Sequence, residues 1–263
     1  MVLLCIADRL ESRRFIIASG FEMVNVFDLF DAAYLINLPE RVDRLASSRR
    51  ELDRAGSWIG PDAVRVFEAY RVADRGTFPS AAVRGCFLSH RGCLLEGKAR
   101  GANAVLIMED DIALTSHMRT VRAQLADVVN SNTWDFLFLG HDDTGRYPLL
   151  RKSADVEFFD YQGVVRGTHF YAVSNRIIGR LIDHLNTVLS GVEGDQEYGP
   201  MPIDGAFNIF RWKNPDVRTL IASPKLGWQR PFRSDITPRY FDGVRTLRPI
   251  LSMLRELKSA LMR

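Results

Sequence analysis

The chain has 263 residues, 46% hydrophobic and 25% charged, the composition of a soluble globular protein with room for one large α/β domain. Its 35 basic and 32 acidic residues leave a net charge of +3, which excludes an overall electrostatic drive toward nucleic acid. Cys5, Cys86 and Cys93 are too few and too oddly numbered for a disulfide framework, and none forms a Cys-x-x-Cys zinc pair, so a reducing cytoplasm fits best. Residues 1–32 lack a clear period and close on the acid-aromatic stretch Phe27-Asp28-Leu29-Phe30-Asp31, which reads as an N-terminal extension. The apolar opening Met1 to Ala7 is cut short by Asp8 and Arg9, too short for a signal peptide, and no eighteen apolar residues run together anywhere. The expectation is a protein that does not span a membrane.

Order begins at Ala33-Tyr34-Leu35-Ile36-Asn37-Leu38, a strand halted by Pro39 and followed by a charged helix carrying Val42, Leu45, Leu52 and Ala55, with Gly56 closing it. A second strand lies around Val64 to Phe67, a helix runs from roughly Ser80 to Arg100, and a third strand is Val105-Leu106-Ile107-Met108. Strand, helix, strand, helix, strand predicts a parallel sheet. Met118, Val121, Leu125, Val128 and Val129 recur at helical spacing, and Trp134 to Gly140 reads as a buried strand leading into an acidic loop at Asp142 and Asp143. Thr168 to Val173 is a further strand. Ile177, Ile178, Leu181, Ile182, Leu185 and Val188 form an amphipathic core helix opened by Ser174 or Asn175. Gly191 to Pro202, rich in glycine and acids, reads as a mobile loop over a substrate.

The third strand ends in Glu109-Asp110-Asp111. Ligands of open α/β sheets collect where parallel strands end, and three crowded acids there repel one another unless a positive group joins them. A hard divalent cation, Mn²⁺ or Mg²⁺, takes such oxygens and bridges to phosphates. The plainer alternative is a solvated turn closing a core strand. Gly92 to Ala99 nearly spells a phosphate-binding loop, but the hydroxyl residue after Lys98 is missing and the segment precedes a strand. There is no Gly-x-Gly-x-x-Gly after a strand, and no Gly-x-Ser-x-Gly elbow.

Three blocks in order and spacing resemble glycosyltransferase family 25, which includes bacterial lipooligosaccharide and collagen galactosyltransferases: Tyr34 to Arg44, Gly85-Cys86-Phe87-Leu88-Ser89-His90, and Ile107 to Asp111. A weaker fourth is Gly167 to Tyr171, and the resemblance covers most of residues 33–236. It implies a GT-A-like, Rossmann-type α/β fold, a mostly parallel sheet flanked by helices, over residues 33–240. It implies an inverting, metal-dependent transfer of a hexose, galactose from UDP-galactose foremost, to a saccharide acceptor such as a lipopolysaccharide core. Asp111 and then Asp110 would hold Mn²⁺ or Mg²⁺, and Glu109 would bind the donor or buttress the turn. Asn37, Arg41, Arg44 and His90 would face the UDP-sugar, although Arg41, Asp43 and Arg44 also suit the charged first turn of a solvated helix. Asp204 corresponds to a late acidic position and is the candidate general base or metal contact, with Asp110 beside it in the catalytic set; Gly205-Ala206 stand where members often carry a further acid or histidine. Ser234-Asp235-Ile236, after a Pro224-to-Pro231 stretch holding Gln229 and Arg230, also resembles the family's end.

Residues 241–263 place Leu247, Ile250, Leu251, Leu254, Leu257 and Leu261 along one side among Arg248, Arg255 and Lys258, a basic amphipathic helix suited either to docking on the domain or to an anionic membrane surface. The latter suits a lipid-linked glycan acceptor at the inner face of the cytoplasmic membrane. Two other functions remain open: a non-catalytic nucleotide-sugar-binding member, and a metal-dependent phosphoryl or nucleotidyl transferase.

Overall fold

The computed structural model describes residues 25–143, 155–195 and 198–230. Its centre is a seven-stranded sheet in the order β2-β1-β3-β7-β5-β8-β6. The strands are β1 (Ala32–Asn37), β2 (Val64–Glu68), β3 (Ala104–Glu109), β5 (Phe136–Asp143), β6 (Glu157–Asp160), β7 (Val165–Ser174) and β8 (Thr219–Ser223). β1, β2, β3, β5 and β8 point one way, while β7 runs antiparallel to β3 and β5, and β6 antiparallel to β8. The sheet is therefore mixed and mostly parallel. The expectation of a parallel sheet holds for the first three strands; insertion of β7 between β3 and β5 is what makes the whole mixed.

Side chains alternate across each strand, so the sheet has a core on both faces. Tyr34, Val105, Ile107, Tyr171 and Val173 face α2 (Ala81–Ala99), α4 (Asn175–Leu189) and α5 (Ile203–Lys213). Leu35, Leu106, Met108 and Phe170 face the other way, toward α1 (Val42–Arg54) and α3 (Arg122–Asn130). Ser80 caps α2 by accepting from the Val83 amide, and Ser174 caps α4 through the Arg176 amide. Gly56 takes φ +77 just beyond α1, the left-handed turn that ends a helix at least cost with glycine.

Two expectations change here, and one element is new. Residues 25–31, assigned to an extension, belong to the packed body: a 3₁₀ turn at Val26–Leu29 buries Val26, Phe27 and, just after it, Phe30 in the second core. Its period of three residues is why no strand or α-helix pattern showed. Asp142 and Asp143 are the end of β5, bonded in register to Arg166 and Val165 of β7, and not a loop. A short second sheet pairs β4 (Ile112–Leu114) antiparallel with β9 (Gly227–Gln229), directly after the acidic motif. Residues 1–24 and 231–263, including Asp235 and the amphipathic tail, lie outside the described residues. No helix among the described residues is long and apolar enough to cross a membrane.

The near phosphate-loop glycines serve packing. A Cβ on Gly92 would stand 2.5 Å from Phe67 Cζ, and one on Gly97 would stand 2.4 Å from Val105 Cγ2, so glycine lets α2 press onto β2 and β3. Gly97→Val is expected to lower stability by about 1–3 kcal/mol through overpacking, read as a drop in the denaturant midpoint. An unchanged midpoint would mean that α2 and β3 are not in such close contact.

Candidate active site

The chain leaves β1 toward β2 on one side of the sheet and returns to β3 on the other, so β1 and β3 flank a point where strand order reverses. Such a crevice, outside the carboxyl ends of the strands, is where open α/β sheets bind ligands. Ile36 lies in register with Glu109, so Asn37 and the three acids emerge side by side.

The acids are held in three different ways. Glu109 accepts from Thr168 Oγ1 at 2.9 Å and has His90 Nε2 at 3.4 Å. Burial raises its pKa, but the contacts of His90, the nearby His169 and the Thr168 hydroxyl bring the carboxyl below its usual value overall. Asp110 forms a buried ion pair with Arg44 from α1 at 2.9 Å, and its carbonyl accepts from Ser48 Oγ at 2.8 Å and Arg230 Nη2 at 3.0 Å. Burial raises this carboxyl above its usual value, against the opposing pull of Arg44. Asp111 Oδ2 accepts from Gln229 Nε2 at 2.9 Å, whereas Oδ1 is buried with no hydrogen-bond partner. Desolvation and the charges of Glu109 and Asp110 push Asp111 up to about 7.

Asn37 is buried, and its Nδ2 donates to the Leu38 carbonyl at 2.7 Å, which fixes the amide orientation and leaves Oδ1 without a partner. His90 is fully buried and bonds Tyr171 Oη through Nδ1 at 2.9 Å. Asp204 sits in the first turn of α5, accepting from the Gly205 amide at 2.9 Å and, more loosely, the Gly167 amide at 3.4 Å. Asn208 positions that turn by exchanging hydrogen bonds with both backbone groups of Val165 and donating to the Asp204 carbonyl. Asp204 is linked to the acids through β7, where the Gly167 amide reaches Asp204 and the adjacent Thr168 hydroxyl reaches Glu109. Burial, with the charges of Glu109, Asp204 and Asp111 adding to it, raises the pKa of the Cys86 thiol.

Of the expected residues, Asn37, Arg44, His90, Glu109, Asp110, Asp111 and Asp204 meet at this edge. Arg41 stands beside it at the start of α1, paired in a fork with Asp43 at 3.0 Å, while its charge still reaches Asp110. His169 is buried in β7 with neither ring nitrogen in hydrogen-bond geometry, and desolvation lowers its pKa. The described parts of Gly191 to Pro202 are turns, with Gly199 packed against the carbonyls of Val192 and Asp195. The residues that sequence reasoning left out of the site are Gln229 and Arg230. Arg230 donates from its amide to the Asp111 carbonyl at 2.7 Å and from its side chain to the Asp110 carbonyl and to Ser47 and Ser48 of α1. The available signal was charge: three acids on a buried edge need donors, and a Gln-Arg pair bounded by Gly227 and Pro231 supplies them.

Two outcomes follow for the metal-free protein. Asp111 has a folded pKa above its unfolded one, so it binds more protons when folded. Its contribution is complete below about 4 and falls as pH rises to about 7. Asp111→Asn is therefore expected to flatten the stability profile over that window and to exceed wild type at pH 8 by up to about 4 kcal/mol; parallel profiles would show that Asp111 ionises normally. Arg44→Met strands the Asp110 carboxylate and is expected to cost about 3–5 kcal/mol, with Asp110→Asn in the same chain restoring most of it. Simple additivity in that double-mutant cycle would deny the pairing.

The family described as Glycosyltransferase family 25 (LPS biosynthesis protein) matches residues 8–195, well over half of the chain. The human protein named inactive glycosyltransferase 25 family member 3 is 32% identical over 129 residues, covering 42% of this chain and 22% of the relative. The chain thus matches less than a quarter of that protein's length. Among solved structures, a glycosyltransferase involved in the glycosylation of the major capsid of PBCV-1 aligns with 77% of this chain and 93% of its own at 9% identity and a TM-score of 0.47. The family match spans the strand-end acids, the α2 face that approaches them and the Asn37–Arg44 segment beside them, and the chain belongs to glycosyltransferase family 25.

Proposed function

We propose that this chain is a metal-dependent, inverting hexosyltransferase that takes a sugar from a nucleoside diphosphate donor, UDP-galactose foremost, to a saccharide or lipid-linked glycan. The observation that carries the reading is Asp111 Oδ1: a buried carboxylate oxygen without a partner, beside two further carboxylates, at the ligand-binding edge of the sheet. Such a group is stable as an anion only beside a cation. The donor set, carboxylate oxygens of Asp111 and Asp110, fits Mn²⁺ or Mg²⁺. When bound there, the ion supplies Lewis-acid stabilisation to the departing diphosphate.

The chain's own residues do the rest. Arg44 and Arg230 hold the Asp110-Asp111 turn in place from both sides, so that the carboxylates are oriented before a donor arrives. Asn37 Oδ1 accepts a hydroxyl or N–H from the nucleoside. Asp204, on the α5 side, takes the proton of the acceptor hydroxyl as it attacks the anomeric carbon. Uridine, galactose and inversion rest on the family resemblance. An acceptor at the inner face of the cytoplasmic membrane rests on the basic amphipathic pattern of residues 241–263.

A second reading, a nucleotide-sugar binder without turnover, draws on the relative named as inactive and on the internal partners that Asp110 and Asp111 already have. The test is UDP release from a panel of UDP-sugars, with and without Mn²⁺ and a glycan acceptor. The transferase reading expects metal-dependent release with one sugar, a 10²- to 10³-fold loss in Asp111→Asn and a 10²- to 10⁴-fold loss in Asp204→Asn, both with the fold intact. Metal-dependent UDP binding with no release in any pairing would favour the binder. Cleavage within the diphosphate instead would move the site to another class: released uridine monophosphate would mark phosphoryl transfer of the sugar phosphate, and released sugar 1-phosphate would mark nucleotidyl transfer.

A further inference from the structure

Cys86 and His90 are four residues apart on α2, the spacing that puts two side chains on one helical face, and that face meets the end of β3. There one ligand atom each from Cys86, His90 and Glu109 all lie within 4.8 Å of one another. His90 is fully buried, its Nδ1 is taken by Tyr171 Oη at 2.9 Å, and its Nε2 makes no hydrogen bond; the nearest acid oxygen is Glu109 Oε1 at 3.4 Å. If Nδ1 carries the proton toward Tyr171, Nε2 keeps a free lone pair 3.4 Å from the Glu109 carboxylate in a cluster that also holds the Cys86 thiol, three donors that one cation can join.

The donor set identifies the cation's class. A thiolate, an imidazole and a carboxylate suit Zn²⁺, whereas Mn²⁺ and Mg²⁺ prefer the all-oxygen chemistry of Asp110 and Asp111. An outer layer of the kind that metal sites carry is also present: Tyr171 orients the imidazole, and Thr168 Oγ1 holds Glu109 at 2.9 Å. We propose that Cys86, His90 and Glu109 form a second cation site, for a borderline-soft divalent ion of the Zn²⁺ class, distinct in chemistry from the acidic pair that follows Glu109. Three protein donors leave a fourth tetrahedral position for water or a ligand oxygen. Coordination through sulfur requires the thiolate, so binding releases the Cys86 proton to solvent. The proposal does not rest on the transferase reading, since a binder without turnover would carry the same three donors.

The test uses Co²⁺ as a spectroscopic stand-in for Zn²⁺ on the full chain, with Mg²⁺ in excess to occupy oxygen sites. The expected result is a thiolate-to-cobalt charge-transfer band in the near ultraviolet, saturating at one equivalent and bleached by Zn²⁺. The band is retained in Cys93→Ser, Cys5→Ser and Asp111→Asn, is lost in Cys86→Ser, and needs more than tenfold higher Co²⁺ in His90→Gln. Because Cys86→Ser sits in a packed region, X-ray absorption on zinc-loaded wild type provides a measurement free of mutation, with a sulfur neighbour expected at about 2.3 Å. No band in folded wild type, a band that survives Cys86→Ser, or zinc with only nitrogen and oxygen neighbours would overturn the site and leave His90 and Glu109 as an electrostatic contact without an ion.

Discussion

The edge of the sheet is organised by repulsion. Two like charges about 4 Å apart at an effective dielectric near 20 oppose each other by about 4 kcal/mol, and Glu109, Asp110 and Asp111 follow one another at the end of a strand buried up to Met108. Each acid meets a different answer: a hydroxyl and an imidazole for Glu109, a guanidinium for Asp110, a neutral amide for Asp111. The answers are unequal in charge, and the carboxylate given only a neutral donor is the one whose pKa climbs to about 7. Compensation is thus withheld at one defined oxygen, Asp111 Oδ1, which is buried without a hydrogen-bond partner.

Holding that arrangement requires distant parts of the chain. Gln229 reaches Asp111 across 118 residues of sequence, and Arg230 ties the Asp110 and Asp111 carbonyls to Ser47 and Ser48 of α1. The β4–β9 pairing makes this possible, because Ile112 opposite Gln229 sets the register in which the amide meets the acid. A buried arginine donating to carbonyls fixes backbone without neutralising a carboxylate, so it stiffens the turn while leaving the acids' charge for a ligand. The same division of labour recurs at α5, where Asn208 takes the backbone groups of Val165 and the carbonyl of Asp204, and the Asp204 carboxylate is left with two amide contacts.

What could be read from the sequence follows from where the information lies. β1, β3, α2 and α4 were legible because their apolar residues carry their own period, and the acids were legible as a site because they interrupt such a run. β7 was recognised as a strand but its direction was not, since direction is set by pairing with β3 and β5 and not by any local pattern. α5 has no counterpart among the predicted elements although Ile203, Ala206, Phe207 and Phe210 keep helical spacing; Pro202 and Gly205 at its start weaken the local helical signal. β8 and β9, short strands completed by long-range partners, carried too little sequence to be seen, and with β9 went Gln229 and Arg230. Asp204 was identified as an acid of interest, but its place could not be, since that depends on Asn208 reaching across to β7.

Glu109 is the residue at which the two halves of the site meet. It is the last residue of β3, so its position is fixed by the sheet, while Asp110 and Asp111 lie in the turn beyond and are fixed by Arg44, Gln229 and Arg230. On one side it shares a cluster with a thiol and an imidazole; on the other it raises the proton affinity of Asp111. Any positive charge drawn to Cys86 and His90 therefore acts on Asp111 through Glu109, and it acts to lower that affinity, because neutralising Glu109 removes one of the repulsions that keep Asp111 near neutral pH. A cation in the soft cluster would thus shift Asp111 toward its charged form, the form that an oxygen-seeking ion binds. The two clusters are thus linked through Glu109, which belongs to one and raises the proton affinity of the other.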